Sequence, residues 1–244
     1  MSRRLPQIIA HRGDSAHAPE NSLAALDSAI AAGADRVECD VRIAGDGVLV
    51  VSHDADLSRI ARRSVLVDDT PAEELARIAA TAGASILPLA TLFEAAAGRI
   101  PLMLDVKSLI PAVIEKIAGA LTKTGFDPRQ IALGLRDPAL VATARNRLPT
   151  ARILALNGST TPVEAFLAEG VELIRLWERD ADAATVAALH AQGCTVWVTT
   201  GGAGTDREVG DCGIDVLYRL IAAGADGLLV NNPGLGRQAV LSAA

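Results

Sequence analysis

One feature constrains this chain more than any other: from residue 100 onward, short β-rich runs recur every 20 to 32 residues or so, separated by helical patterns. The runs are Leu102–Val106, Ile131–Leu135, Ile153–Leu156, Leu173–Trp177, Thr195–Thr199 and Gly227–Val230. Between them, Pro111–Leu121 carries Val113, Ile114, Ile117 and Leu121 at helical spacing, and Val216–Ala222 carries Val216, Leu217, Leu220 and Ile221 likewise. Such alternation specifies a parallel sheet with helices outside it. Two earlier runs, Gln7–Ala10 and Arg36–Val41, bring the strands to eight, and eight parallel strands close a barrel. The expected fold is therefore an α/β, (βα)8 TIM barrel, and a length of 244 residues is usual for one. With 50% of its residues apolar, a chain of this size buries enough surface to need neither disulfides nor a structural metal.

A ninth run, Val48–Ser52, follows Val41 too closely for a parallel crossover, and Gly45-Asp46-Gly47 is a hairpin signal. It should fold back on an extension of the second strand and bring His53 beside Cys39 or Asp40, at the barrel mouth. Residues 54–100, with helical patterns at Thr70–Ala82 and Thr91–Ala97, read as a small insertion before the third strand. Residues 1–244 are expected to form a single domain. Two helices end in one phrase, Gly33-Ala34-Asp35 and Gly224-Ala225-Asp226, where glycine can take the left-handed conformation that stops a helix.

Charge and composition exclude some functions. A net charge of −6, a pI near 5.2 and six aromatic residues leave no basic face or stacking platform for nucleic acid. Cys39, Cys194 and Cys212 are odd in number and unpatterned, which suits reduced thiols. The apolar run Ile8-Ile9-Ala10 is too short for a signal-peptide core or a membrane span. A cytoplasmic protein acting on a small molecule, without stable membrane insertion, is expected.

Active sites of such barrels form at the C-terminal ends of the strands. Strand one ends in His11-Arg12-Gly13, strand two in Glu38-Cys39-Asp40 and strand three in Asp105-Val106-Lys107. Because side chains alternate, Glu38 and Asp40 share a face, as do Asp105 and Lys107, while Cys39 points away into the core. Inward, these faces bring three carboxylates together with His11, His53, Arg12 and Lys107. Crowded carboxylates raise one another's pKa unless a cation sits among them. An all-oxygen set suits Mg²⁺, Ca²⁺ or Mn²⁺ rather than zinc. The competing reading is structural: Asp105 and Lys107 pairing with each other, and Arg12 in an ordinary salt bridge. His17 reads as an exposed loop residue, Trp177 as packing, Gly201–Gly204 as a loop, and Trp197 equally as substrate wall or packing.

The order and spacing of His11-Arg12-Gly13, Pro19-Glu20-Asn21-Ser22, Glu38-Cys39-Asp40-Val41, Asp46-Gly47, His53-Asp54, Leu87-Pro88-Leu89, Asp105-Val106-Lys107 and Gly224-Ala225-Asp226-Gly227 resemble the glycerophosphodiester phosphodiesterase family. That resemblance implies metal-dependent hydrolysis of a glycerophosphodiester to glycerol phosphate and an alcohol. It implies His11 and His53 as the acid/base pair and Glu38, Asp40 and Asp105 as ligands of one divalent cation, Mg²⁺ or Ca²⁺ with Mn²⁺ as a further choice. Arg12 and Lys107 become phosphate contacts. Glu20 and Asn21 fall on the substrate-binding side, orienting the loop and touching His11 or Arg12, and Trp197 is counted there too. Asp105 stands where the family more often has glutamate. Further departures are Gly134-Leu135, Thr199-Thr200 and Val230-Asn231, which leave the alcohol open. Two rivals stand beside this reading: a lipid phosphodiesterase of the sphingomyelinase D type that releases a cyclic phosphate, and a barrel that binds phosphometabolites without turnover.

Overall fold

The structure, a computed structural model, describes residues 5–156 and 162–243. Its strands are β1 (Gln7–Ala10), β2 (Arg36–Ile43), β3 (Leu49–Val51), β4 (Asp56–Leu57), β5 (Arg63–Leu66), β6 (Leu87–Pro88), β7 (Leu102–Val106), β8 (Ile131–Leu135), β9 (Arg152–Ala155), β10 (Leu173–Trp177), β11 (Thr195–Thr199) and β12 (Gly227–Val230). Eight of them, β1-β2-β7-β8-β9-β10-β11-β12, pair in parallel, and β12 returns to β1 to close the ring. The strand at Arg152–Ala155 starts one residue before the expected position, yet Leu156 N–H still donates to Leu135 O at 2.9 Å, so the ladder reaches it.

Alternation divides each strand between two apolar environments. Ile9, Met103, Ala132, Leu154, Leu173, Trp197 and Leu229 fill the lumen. Their neighbours, among them Ile8, Cys39, Leu104, Leu133 and Val196, pack outward against helical residues such as Leu26, Ile114, Ile117, Leu217 and Leu220. Both strand faces are buried, so the strands read as nearly continuous apolar runs. Each fully buried Leu or Ile contributes roughly 1.5–3 kcal/mol relative to exposure, which makes this outer interface the main source of stability.

The repeated Gly-Ala-Asp phrase has a double role. Gly33 and Gly224 take φ of 78° and 103°, ending their helices. The aspartate two residues on then clasps a neighbouring strand. Asp35 N–H donates to Ile8 O at 2.8 Å and its Oδ2 accepts from Ile8 N–H at 2.7 Å. Asp226 makes the same exchange with Val196, at 2.8 Å in each direction.

Strand β2 continues past the barrel, turns at Gly47 (φ 80°) and pairs antiparallel with β3, Val41 opposite Val51 and Ile43 opposite Leu49. Ser52 N–H donates to Asp40 O at 3.0 Å, which leaves His53 beside Cys39 and the mouth. β6 adds to the outer edge of β3. The segment that follows β3 packs on this extension through a separate apolar cluster of Ala44, Val50, Leu57, Val67, Ala72, Leu75, Ala79 and Ile86. Among the described residues no helix is long and apolar enough to cross a membrane.

Candidate active site

At the barrel mouth lies a cavity of about 230 Å³, lined by His11, Arg12, Glu38, Asp40, His53, Asp105, Lys107, Arg136, Arg175 and Trp177 together with apolar residues of the lumen. A larger cleft of about 370 Å³ runs alongside, against Arg42, Val67, Ser108 and Ile110, but lacks the converging carboxylates and histidines.

The register of β2 and β7 sets the acidic floor of the mouth. Asp40 lies opposite Asp105, so the inward faces of the two strands bring Glu38, Asp40 and Asp105 together with one ligand oxygen each within 4.8 Å of the others, all buried. Burial, followed by the charges of Asp40 and Asp105, pushes the Glu38 carboxyl well above its ordinary range. Asp40 goes the other way: burial raises it, but Lys107 and Arg12 outweigh that and hold it well below. Lys107 Nζ stands 2.8 Å from Asp40 Oδ1 and 2.6 Å from Asp105 Oδ2. Burial disfavours its charge, yet Asp40 and Asp105 raise its pKa. Three buried oxygen ligands, one of which resists ionisation because of burial and the neighbouring carboxylates, fit a divalent cation. Such an ion would compete with Lys107 and with Arg136, whose Nε and Nη2 lie 3.2 and 2.6 Å from the two oxygens of Asp105.

Arg12 is fixed from three sides. Its N–H donates to Glu38 Oε2 at 2.8 Å, its Nε lies 3.3 Å from Asp40 Oδ2, and Nη1 donates to both oxygens of Glu20 at 3.1 Å. Arg12 and Asn21 both have φ of 56°, a left-handed conformation uncommon outside glycine, and Gly13 follows at 81°. An added Cβ at Gly13 would come within 2.6 Å of Ala25 Cβ. This bend turns Glu20 and Asn21 behind the site. Glu20 grips Arg12 and, at 2.7 and 2.9 Å, Arg59; Asn21 Nδ2 donates to Asp40 Oδ2 at 2.9 Å. Neither side chain is among those lining the cavity; each contacts a residue that does, Glu20 meeting Arg12 and Asn21 meeting Asp40.

The two histidines are held in different surroundings. His11 Nδ1 donates to Asn231 Oδ1 at 2.7 Å; the Asn231 amide is oriented by Nδ2 donating to Val209 O at 3.0 Å. The ring is thereby the Nδ1–H tautomer with the Nε2 lone pair free for chemistry. Burial first, then Arg12, lowers its pKa to about 4, so it is neutral at pH 7. An added Cβ on Gly210 would lie 2.1 Å from Asn231 Oδ1 and 2.6 Å from His11 Nδ1, so glycine is required there. His53 is half-buried, with Nδ1 2.7 Å from Asp54 Oδ1; Asp54 is held in turn by Arg59 Nε at 2.6 Å. Arg42 fixes the His53 carbonyl through two N–H groups at 3.0 and 2.9 Å.

The later strands depart most from expectation. Trp197 does not reach the mouth: it sits deep in the lumen at the opposite end, with Arg36 and Arg152 stacked against it at 5.5 and 5.8 Å from the ring centroid. Its place in the wall is taken by Trp177, whose ring carries the Arg175 guanidinium at 4.0 Å. Arg136, Arg175 and Asn231 were not singled out from the sequence as site residues. The inward parity of β10, shared by Leu173, Arg175 and Trp177, was the available signal for Arg175. Asp105 and Lys107 do pair, as the structural reading had it, but they pair inside the site. The Gly201–Gly204 loop is tied down by buried Glu178, which accepts from Gly201 N–H at 2.8 Å and pairs with Arg207 at 2.6 Å. His17 is exposed beside Asp14, and the Cys39 thiol is buried away from the lumen and raised by that burial.

Residues 11–106 match the model of the glycerophosphoryl diester phosphodiesterase family. A glycerophosphodiester phosphodiesterase of Caldanaerobacter subterraneus subsp. tengcongensis is 36% identical over 135 residues, 51% of this chain and 56% of that one. One from Bacillus altitudinis is 42% identical over 73 residues, 30% of each chain. The matched stretch thus spans about half the length of the first of these relatives, and less of the other. Among solved structures, an Oleispira antarctica phosphodiesterase in complex with the product sn-glycerol-3-phosphate superposes with a TM-score of 0.80 at 24% identity, covering 97% of both chains. The glycerophosphodiester phosphodiesterase of Agrobacterium tumefaciens gives 0.77 at 23%, covering 96% of this chain and all of that one.

Proposed function

We propose that this chain, whose residues 11–106 match the glycerophosphoryl diester phosphodiesterase family, is a member of it and hydrolyses a glycerophosphodiester to glycerol phosphate and an alcohol, with residues 1–244 acting as one catalytic domain. The observation that carries this reading is the convergence of Glu38, Asp40 and Asp105 within 4.8 Å at a mouth also lined by His11 and His53.

Glu38, Asp40 and Asp105 would hold one Mg²⁺ or Ca²⁺, with Mn²⁺ the next choice. Bound there, such an ion supplies Lewis-acid polarisation of a phosphoryl oxygen. The remaining chemistry belongs to the chain. Arg12 and Lys107 hold nonbridging oxygens and offset the charge that builds at phosphorus. His11 is neutral, fixed as the Nδ1–H tautomer, and takes a proton from the nucleophile at Nε2. His53, with the Asp54 carboxylate behind Nδ1, returns a proton to the departing alkoxide. Asn21 and Glu20 keep Asp40 and Arg12 in place. The nucleophile is water or a neighbouring hydroxyl of the substrate; the second route passes through a cyclic phosphate.

The test is an assay of the purified protein on glycerophosphoethanolamine and glycerophosphoglycerol with Mg²⁺, Ca²⁺, Mn²⁺ or EDTA, with phosphorus NMR of the products. Turnover to glycerol phosphate that EDTA abolishes is expected. Phosphate-ester binding with no turnover under any of these metals would reject hydrolysis in favour of a binding barrel.

A further inference from the structure

One buried carboxylate beside the mouth has no part in the acid/base or metal chemistry. Glu178 follows Trp177 at the end of β10, where alternation turns it away from the lumen; it is 5% exposed and is not among the residues lining the cavity. Its two oxygens hold both arms of the loop that follows β11. Oε2 accepts from Gly201 N–H at 2.8 Å on the outgoing arm, and Oε1 accepts from Arg207 Nη2 at 2.6 Å on the returning arm. A third donor, Arg219 Nη2 at 3.2 Å, comes from the helix Ile214–Ala223 and not from the loop. Around these points the loop is closed by Gly202 N–H to Arg207 O at 3.0 Å and by Gly210 N–H to Thr200 O at 2.7 Å. Gly201, Gly202, Gly204 and Gly210 all have positive φ. Glycines give such a loop many alternative shapes, so holding a single one needs a fixed point.

What the loop carries decides what this clamp is for. Two residues beyond Arg207, Val209 lines the mouth, and its carbonyl accepts from Asn231 Nδ2 at 3.0 Å. Gly210 O accepts from Asn231 N–H at 2.6 Å. Asn231 Oδ1 in turn accepts from His11 Nδ1–H at 2.7 Å. The two ends of an amide are alike in shape and opposite in hydrogen bonding, so the Val209 carbonyl, by taking the NH2 end, turns the oxygen towards His11. The catalytic tautomer thus depends on where the loop puts one carbonyl. A buried carboxylate also needs cationic partners for its own sake, and Arg207 and Arg219 both serve that need. Only Arg207 belongs to the arm that leads to Val209.

We propose that Glu178 is a positioning residue for His11: its carboxylate staples Gly201 to Arg207, and the stapled loop sets the Asn231 amide that fixes the His11 ring. The proposal rests on the phosphodiesterase reading, in which His11 takes a proton at Nε2. Glu178→Gln places a donor where one of the two oxygens stood and so releases one arm, while Arg207→Met releases the returning arm from the other side. With the metal that supports turnover of glycerophosphoglycerol, each should lower kcat about tenfold and leave KM within about threefold, as a misplaced catalytic group does. Arg219→Met, which takes a partner from the same carboxylate and nothing from the loop, should stay within about twofold of the parent. In an Asn231→Ala background the Glu178→Gln and Arg207→Met losses should shrink to less than about twofold, because the amide through which they act is gone. Proton NMR gives a readout that needs no turnover: the His11 Nδ1–H resonance, identified by its absence from His11→Ala, should shift or broaden in Glu178→Gln and Arg207→Met and persist in Arg219→Met. Losses that multiply in full with Asn231→Ala, or a His11 resonance unchanged in both loop variants, would overturn the staple. Equal losses in Arg207→Met and Arg219→Met would overturn it too, leaving Glu178 a buried charge in need of neutralising. If Glu178→Gln melts early, the more exposed Arg207→Met decides. No turnover by the parent with any of the three metals would overturn the hydrolase reading, and the resonance would then decide the staple alone.

Discussion

The lumen of this barrel carries buried charge at both ends, and the two ends handle it differently. At the floor, Arg36 donates from Nη1 to Leu102 O and Gln130 O at 2.8 Å and, with Arg152, stacks on Trp197. Burial, followed by the charge of Arg152, lowers its pKa to about 10, and main-chain carbonyls and an aromatic face, groups with no proton to exchange, hold it there. At the mouth, carboxylates are pressed against carboxylates and cations against cations, so that Glu38 resists ionisation and His11 resists protonation. Charge tied to main chain and ring serves stability; on the proposed function, charge left in tension is matched by an ion and an anionic ester. Four experiments press on this contrast.

The largest effect is expected at His11 and His53, the proposed acid/base pair. His11→Ala and His53→Ala should each lower kcat by roughly 10²–10⁴, the usual loss on removing a general acid or base, with KM changed far less. Circular dichroism checks that the fold persists. Activity within tenfold of the parent for both variants would remove the acid/base assignment.

The second effect is a pH dependence of stability. His11 has a folded pKa of about 4 against an ordinary 6.5, so between these values the native state binds fewer protons than the unfolded chain. Its contribution is therefore fully present above pH 6.5 and is lost as pH falls through that window towards 4. A shift of this size corresponds to about 3 kcal/mol. Urea titrations in EDTA should show that His11→Asn is less sensitive to pH across 6.5 to 4 than the parent. Parallel pH curves for the two proteins would show that His11 is not the neutral, buried ring described here.

Which of these features could be seen in the sequence follows a physical pattern. The barrel was legible because every βα unit repeats the same requirement, an apolar strand buried on both faces, and because eight such strands leave no edge. The acidic cluster was legible because parity along a strand fixes which residues share a face. Height along the lumen is a different matter: it depends on how neighbouring strands are staggered. Trp197 has the right parity but sits two residues below Thr199, the end of β11, and so belongs to the floor. Arg175 has the same parity as Trp177 and reaches the mouth, yet a single arginine within an apolar strand gives no local signal of its height. Glu20 and Asn21 were identifiable as a motif, but their direction depends on the left-handed backbone at Arg12 and Asn21, which no residue type announces. Asn231 was visible only as a departure from a pattern; its role depends on His11, 220 residues away in the chain.

That partnership supplies the third experiment. Asn231→Ala removes the acceptor for His11 Nδ1–H and for Ser15 Oγ, which lies 3.1 Å from Asn231 Oδ1. The ring can then rotate or change tautomer, and misplacement of a catalytic group by about 1 Å can cost up to about 10² in rate. The expected loss in kcat is about 10- to 100-fold, smaller than for His11→Ala, and Asn231→Gln should recover little because its longer side chain meets Val209 and Gly210. A kcat equal to the parent's would mean that His11 is oriented by something else.

The smallest effect on catalysis is predicted at the floor, where the contrast is sharpest. Trp197→Phe shortens the aromatic face that Arg36 and Arg152 approach and removes contact with Gly227, whose ideal Cβ would lie 2.5 Å from Trp197 Cδ1. Arg36 keeps its two carbonyl partners, and the cost is packing and weakened cation–π attraction, about 1–2 kcal/mol. Thermal melts should register that loss while kcat and KM at 25 °C stay within about twofold of the parent. A KM several-fold higher, with the melting temperature unmoved, would instead return Trp197 to the substrate wall and dissolve the division between a floor built for stability and a mouth built for chemistry.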